Sequence, residues 1–328
     1  MFNKRGFVIA LAATAAACLP VGKGIAAEKF PERTVSFVVP FPPGGPTDAM
    51  ARVLAVELGK ELGQSVIVEN KAGAGGNIGA EFLERAKPDG YTIMFGTSGP
   101  LAINQSLYKK MSYDPRISFT PIMYVGYLPN ILVVRENLDV KNVKELIALD
   151  KSSPNKLSFA SSGNGASSHL AGVMFNELAG TTLMHVPYKG TGPALNDLLA
   201  GQVDMTFTDI LTAMPYIKAN RVRALGVATA RRSTAMPDIP SIAEQGLKGY
   251  DVSVFFGVVA PKGMPGDRVQ ILNQAFAKAL DSDNVKKAFA AQGLERGPDT
   301  SPAYLSRFIA AEVDRWRDVV KKSGVTLD

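Results

Sequence analysis

The chain has 328 residues, with 36 Lys and Arg against 30 Asp and Glu, two histidines and one cysteine. So mild a charge balance, with no basic block or basic–aromatic stripe, excludes a nucleic-acid binder that works through an electrostatic footprint. One cysteine excludes an intramolecular disulfide, and two histidines leave little material for a metal centre or a histidine-based active site.

The chain opens with Lys4 and Arg5, then an apolar stretch from Phe7 to Ala17 that is too short to span a bilayer, then small residues. This is the layout of a signal peptide over residues 1–27, with Ala26 or Ala27 at the cleavage point. It predicts export to the periplasm. Cys18, preceded by Ala15-Ala16-Ala17, keeps open a second route: cleavage before Cys18 and a lipid on its sulfur. Lys4, Arg5 and Lys23 fall in the removed stretch, so the remainder carries 33 basic against 30 acidic residues. No later apolar run is long enough for a membrane span. About 300 residues remain, which suits two domains.

Val35–Val39 is an almost unbroken apolar run, the pattern of a strand buried on both faces. Pro40 to Pro46 forms a rigid turn. Thr47 or Asp48 is then expected to cap an amphipathic helix over 47–62, with Met50, Leu54 and Leu58 at four-residue spacing. Further strands are predicted at 65–69, 91–95, 131–134, 157–160, 183–186, 203–207, 223–228 and 252–259. Helices are predicted at 77–86, 142–150, 167–179, 192–200, 212–219, 266–281 and 283–292. This alternation argues for an α/β fold of parallel sheets with helices on both faces. The runs 119–134 and 252–261 are read as strands crossing between two domains. A last helix starts at Ser301 and Pro302, carries the stripe Leu305, Ile309, Val313, Trp316 and Val320, and stops at Gly324. The stripe assigns Trp316 to the core.

Four Gly-rich strand-to-helix turns carry the functional signal. In Pro40–Asp48, a tight loop and a helix start aim unpaired backbone N–H groups at one point, a setting for a carboxylate or phosphate. Gly73–Gly79 tempts one toward a dinucleotide fingerprint, but its third glycine falls one residue late, and no P-loop lysine follows any glycine run. These glycines serve either tight packing or anion contact. Ser161–His169 supplies hydroxyls and free N–H groups, with Ser167 or Ser168 as cap. His185–Ala194 is the fourth turn; its Lys189 is either an added charge or an ordinary exposed lysine, and His185 reads as a packed histidine. Asp209 ends a strand, either to accept a hydrogen bond from a ligand or to cap the helix before Leu211. There is no G-x-S-x-G elbow, His169 does not face Ser167 or Ser168 along a helix, and no ligand-spaced cluster suggests a metal. No catalytic residue, metal or cofactor is therefore expected.

Pro40-Phe41-Pro42-Pro43-Gly44-Gly45-Pro46-Thr47-Asp48, the Gly73–Gly79 turn, Ser161–His169, His185–Gly190, Ala194–Asp204, Ile217–Val227, Pro237–Ser241 and Phe255–Pro261 follow one another in order. In this the mature chain resembles the Bug (TctC-type) receptors, periplasmic substrate-binding components of tripartite tricarboxylate transporters. The resemblance implies a two-domain periplasmic-binding-protein fold of the type II-like Venus-flytrap form, with crossover strands and an interdomain cleft. It implies residues 28–128 and 255–328 as one domain and 129–254 as the other. It further implies a monomer that binds a small carboxylate and docks to a membrane permease. The implied ligand contacts are Phe41, Gly44, Gly45, Thr47, Asp48 and Ser98 from the first domain, and Ser162, Gly165, Ala166, Ser167 and Asp209 from the second. Ala166 stands where serine is frequent, which bears on the choice of carboxylate. A same-fold receptor that signals to a sensor kinase is the alternative, and an enzyme acting on an anion the remote one. Aliphatic di- and tricarboxylates, amino acids and aromatic acids all remain open as ligands.

Overall fold

The computed structural model describes residues 30–327, so the expected signal peptide and Cys18 lie outside the described residues. Strand β1 (Val35–Val39) leads through the proline turn into helix α1 (Pro46–Leu62). Met50, Leu54 and Leu58 are buried as their spacing requires, and Gly63 closes the helix in the left-handed conformation. The cap differs from expectation. Pro46 is the first helical residue and Gly45 precedes it as N-cap, without a side-chain bond. The ring already holds the φ a helix needs, so the helix starts before Thr47. Asp48, two residues into the helix, reaches back to accept from the Gly44 N–H at 2.9 Å.

Next come β2 (Val66–Asn70), α2 (Asn77–Glu84) and β3 (Thr92–Thr97). Gly79 packs so tightly on Pro40 that a Cβ there would lie 2.7 Å from the proline ring, which assigns this glycine to close packing. A π turn at Gly99–Ile103 runs into the short α3 (Asn104–Leu107), an element the sequence reading lacked. Then β4 (Phe119–Arg135) extends through 17 residues. It is followed by α4 (Val143–Ser152), β5 (Ser158–Ser161), α5 (Ser167–Ala179), β6 (Met184–Pro187), α6 (Thr191–Leu199), β7 (Met205–Asp209), α7 (Ile210–Lys218) and β8 (Val222–Val227). The chain returns through β9 (Ser253–Pro261) and finishes with α8 (Gly266–Asp281), α9 (Asp283–Ala291), β10 (Glu295–Arg296) and α10 (Pro302–Ser323).

The strands run β2-β1-β3-β9-β4-β7-β5-β6, with β8 and β10 also paired to β4. The β1–β2, β1–β3, β5–β6 and β5–β7 pairs are parallel, as alternation predicts. Every pair made by β4 or β9 is antiparallel, so both sheets are mixed where parallel sheets were expected. The cause is the path of β4, which runs from one sheet into the other, antiparallel to β9 in the first and to β7 and β8 in the second. The first part of β4 pairs with β9, and its last part with β7 and β8, with register shifts near Pro121, Tyr124 and Leu132. At the crossing, Gly126 lies so close to β10 that a Cβ would meet the Glu295 carbonyl at 2.2 Å. This is a two-domain periplasmic-binding-protein architecture.

Helix α10 follows its sequence signals. The Ser301 side chain accepts from the Tyr304 N–H, Leu305, Ile309, Val313, Trp316 and Val320 are buried, and Gly324 ends the helix left-handed. Trp316 is fully buried and its indole N–H donates to Glu312, a core role.

Candidate ligand-binding site

A cleft of about 400 Å³ opens where strand ends and helix starts meet. The start of α1 contributes Pro46, and β4 contributes Leu128 and Asn130. The loop after β5 and the first turn of α5 contribute Ser162, Ser167 and Ser168, and α6 begins there at Thr191. Phe207, Thr208 and Asp209 end β7 in the cleft wall, followed by Leu211 and Thr212 of α7, with Val254 and Gln292 completing it. Four helices of eight residues or more therefore begin at this cleft, each presenting the positive end of its dipole.

No Lys, Arg or His is among the described residues that line the cleft. The one ionisable group there, Asp209, is already engaged: its carboxylate accepts from the Thr212 N–H at 2.8 Å and the Thr212 hydroxyl at 2.7 Å. It caps α7, the local reading of this residue. Two other polar groups have no such partner. Asn130 and Thr208, each 4% exposed, bury the Asn130 Nδ2 and Thr208 Oγ1 without a hydrogen bond to the protein. Leaving a buried donor unmet costs about 1–3 kcal/mol, so these two groups in the cleft wall call for a partner that the protein does not supply in this state.

Ser162, Ser167 and Asp209 of the expected contacts line this cleft, together with Pro46 from the first turn. The other expected contacts are not among the residues that line it. The Phe41 carbonyl accepts from Asn70 Nδ2, and Gly44 is tied to Asp48. Gly45 and Thr47 bracket Pro46, and Ser98 is buried past the end of β3. Asp48 is buried, with its carboxylate shared among the Gly44 N–H, Asn70 and a two-pronged contact from Arg52. Arg52 leads these partners in holding the Asp48 carboxyl down at about 2. Ala166 precedes α5 as its N-cap, so neither Ser167 nor Ser168 holds that position. Ser168 instead accepts from the Ser162 N–H and shares a hydrogen bond with the Ser162 hydroxyl. Lys189 is exposed.

Behind the serine loop the two histidines stack, with ring centroids 3.9 Å apart. His169 Nδ1 accepts from the Gly165 N–H at 3.1 Å, not from a serine. Ser161 Oγ lies 2.6 Å from His185 Nε2, but Ser161 is fully buried, so no substrate reaches this serine–histidine pair. Among the described residues no group of three His, Cys, Asp or Glu is placed to hold a metal.

Asn130, Thr208, Leu128, Val254 and Gln292 were absent from the expected contacts. A polar residue at the mouth of the apolar run 131–134 was a visible signal for Asn130. Leu128 and Val254 reach the cleft through the crossing, and Gln292 through the end of α9, neither of which a local pattern encodes.

The chain matches the family described as "Tripartite tricarboxylate transporter family receptor" over residues 50–325. Protein BugT of Bordetella pertussis is 39% identical over 316 residues, 96% of this chain and 95% of that protein. R. palustris Rpa4515, solved with adipate, is 37% identical with a TM-score of 0.75, covering 90% of this chain and 99% of that one. MatC from Rhodopseudomonas palustris, solved with bound malate, is 36% identical with a TM-score of 0.73, covering 89% of this chain and all of that one. Sequence, fold and cleft agree, and the chain belongs to the tripartite tricarboxylate transporter receptor family, TctC.

Proposed function

We propose that this protein is a periplasmic receptor that holds a small carboxylate in the cleft and delivers it to a tripartite tricarboxylate-type permease, with no chemistry on the ligand. The observation that carries this reading is the pair Asn130 Nδ2 and Thr208 Oγ1, buried without partners in a cleft ringed by helix starts and free of cationic side chains. Helix dipoles and N–H groups favour an anion, and the two orphan groups hydrogen-bond its oxygens. The relatives solved with adipate and malate support a carboxylate with a short aliphatic body, which suits the walls formed by Leu128, Phe207, Leu211 and Val254. The domain division is proposed as 28–128 with 255–328, and 129–254, which places the cleft between them. Closing the domains over the anion expels water and strengthens each polar contact.

The test is calorimetry of ligand-stripped protein against mono-, di-, tri- and aromatic carboxylates and nucleotides, in the wild type and in Thr208→Val. Valine keeps the shape and removes the orphan hydroxyl, so the free protein should be as stable or more so, while affinity falls about tenfold. Binding of nucleotides alone, turnover of the ligand, or a Thr208→Val variant with undiminished affinity would each count against this reading.

A further inference from the structure

We propose that His169 and His185 position the ligand loop as a neutral imidazole pair, and that protonating this pair loosens the loop and releases the anion. The proposal rests on the carboxylate-receptor reading. The loop supplies Ser162, Ser167 and Ser168 to the cleft. It is held from behind at two points: the Gly165 N–H on His169 Nδ1, and Ser161 Oγ against His185 Nε2. The rings stack 3.9 Å apart, and Phe159 covers His185 at 5.0 Å.

The first contact dictates a protonation state. A nitrogen that accepts an amide N–H carries no proton, so His169 is neutral with its hydrogen on Nε2. A second proton would set an N–H against the Gly165 N–H and place a charge beside the half-buried partner ring. Leu107 packs so closely on Gly165 that an added Cβ would lie 2.4 Å from its side chain, so the loop is seated between Leu107 and the His169 ring and a proton on Nδ1 pushes at that seat.

No packed element supplies a compensating charge. On α5 the ring lies between Ser168 and Leu170; β5 presents Phe159 and Ser161, and β6 presents His185. Lys189 follows β6, Asp209 ends β7 in the grip of Thr212, and Lys322 of α10 pairs with Glu177 two turns farther along α5. None of these bears on either ring. Burial, then the neighbouring His185, hold His169 down at about 4, and burial depresses His185.

The chain has two histidines, so nitrogen-labelled histidine in ligand-free protein gives two ring systems to follow. His169 should show an unprotonated Nδ1 at neutral pH and titrate below the ordinary imidazole range. The Gly165 amide should shift and exchange faster over the same interval. A second arm compares His169→Asn, whose Oδ1 accepts the Gly165 N–H without titrating, with His169→Phe, which fills the space without an acceptor. With malate and adipate as probes, the Asn variant should match the wild type within about threefold at neutral pH and bind more tightly than it in acid. The Phe variant should bind about tenfold more weakly than the wild type at neutral pH. An ordinary imidazole titration at His169, a Gly165 amide indifferent to it, or an Asn variant that tracks the wild type at every pH overturns the proposal. If neither these dicarboxylates nor any other carboxylate of the panel binds the wild type, the carboxylate reading fails, and the ring titration with the Gly165 amide still decides the role of the pair.

Discussion

Replacing Asp48 with alanine separates two roles for the first helix turn. The carboxylate is buried and receives the Gly44 N–H, Asn70 and Arg52, all 2.9 Å from its oxygens. These partners draw its pKa from 3.8 to about 2, with the Arg52 hydrogen bond the largest cause. At about 1.4 kcal/mol per pKa unit this represents roughly 2 kcal/mol in favour of the folded, ionised form. Arg52 is half exposed, so water screens its share, and roughly 1–2 kcal/mol is the magnitude to expect. The folded pKa is depressed, so this stability is present above 3.8 and is lost as pH falls through about 2. Asp48→Ala should therefore lower the melting temperature at neutral pH by roughly 2–6 °C. Its carboxylate affinity should change less than about tenfold, because the groups that face the cleft are untouched. Melting and calorimetry on the same preparation check both. An unchanged melting temperature with affinity lost a hundredfold or so would refute the reasoning and place Asp48 on the ligand.

Other substitutions probe the frame around the cleft. Gly126→Ala should cost about 1–3 kcal/mol or more, because its Cβ would meet the Glu295 backbone at 2.2 Å; a melt that matches wild type would show that β10 yields freely. Trp316→Phe should cost about 1–3 kcal/mol, since it strips the indole donor from buried Glu312, and urea unfolding measures it. His169, held at about 4 against an ordinary 6.5, leaves the protein fully stable above 6.5. Stability should then fall as pH drops toward about 4, by up to roughly 3 kcal/mol, and His169→Asn should flatten that slope.

The elements that were legible carry their signals locally. Ser301, Pro302, the apolar stripe and Gly324 delimit α10 without help from the rest of the chain. The apolar run of β1 behaves alike. The π turn at Gly99–Ile103 has no periodicity of its own, and β10 is two residues long, so neither left a pattern to read. In the cleft, the serine loop and Asp209 stand out because hydroxyls and an acid follow apolar strands. Val254 and Gln292 do not, because sequence-distant segments meet there through tertiary packing. The turn Phe41–Asp48 advertised an anion site, yet its carboxylate is spent on holding the turn together, a use visible only once Arg52 and Asn70 are seen beside it.

The position of β9 also sets an order of assembly. It lies between β3 and β4, so Phe95 must find Val258 across everything that separates them. The other sheet, built from β5 to β8 on the last part of β4, has all its strands by Val227. During synthesis that half can form first, while β3 and β4 wait with open edges for the return of the chain. A nascent chain stalled before Ser253 would therefore present two unpaired strand edges, which are templates for aggregation. The late strand thus makes the C-terminal quarter of the sequence the step that commits the whole molecule to its fold.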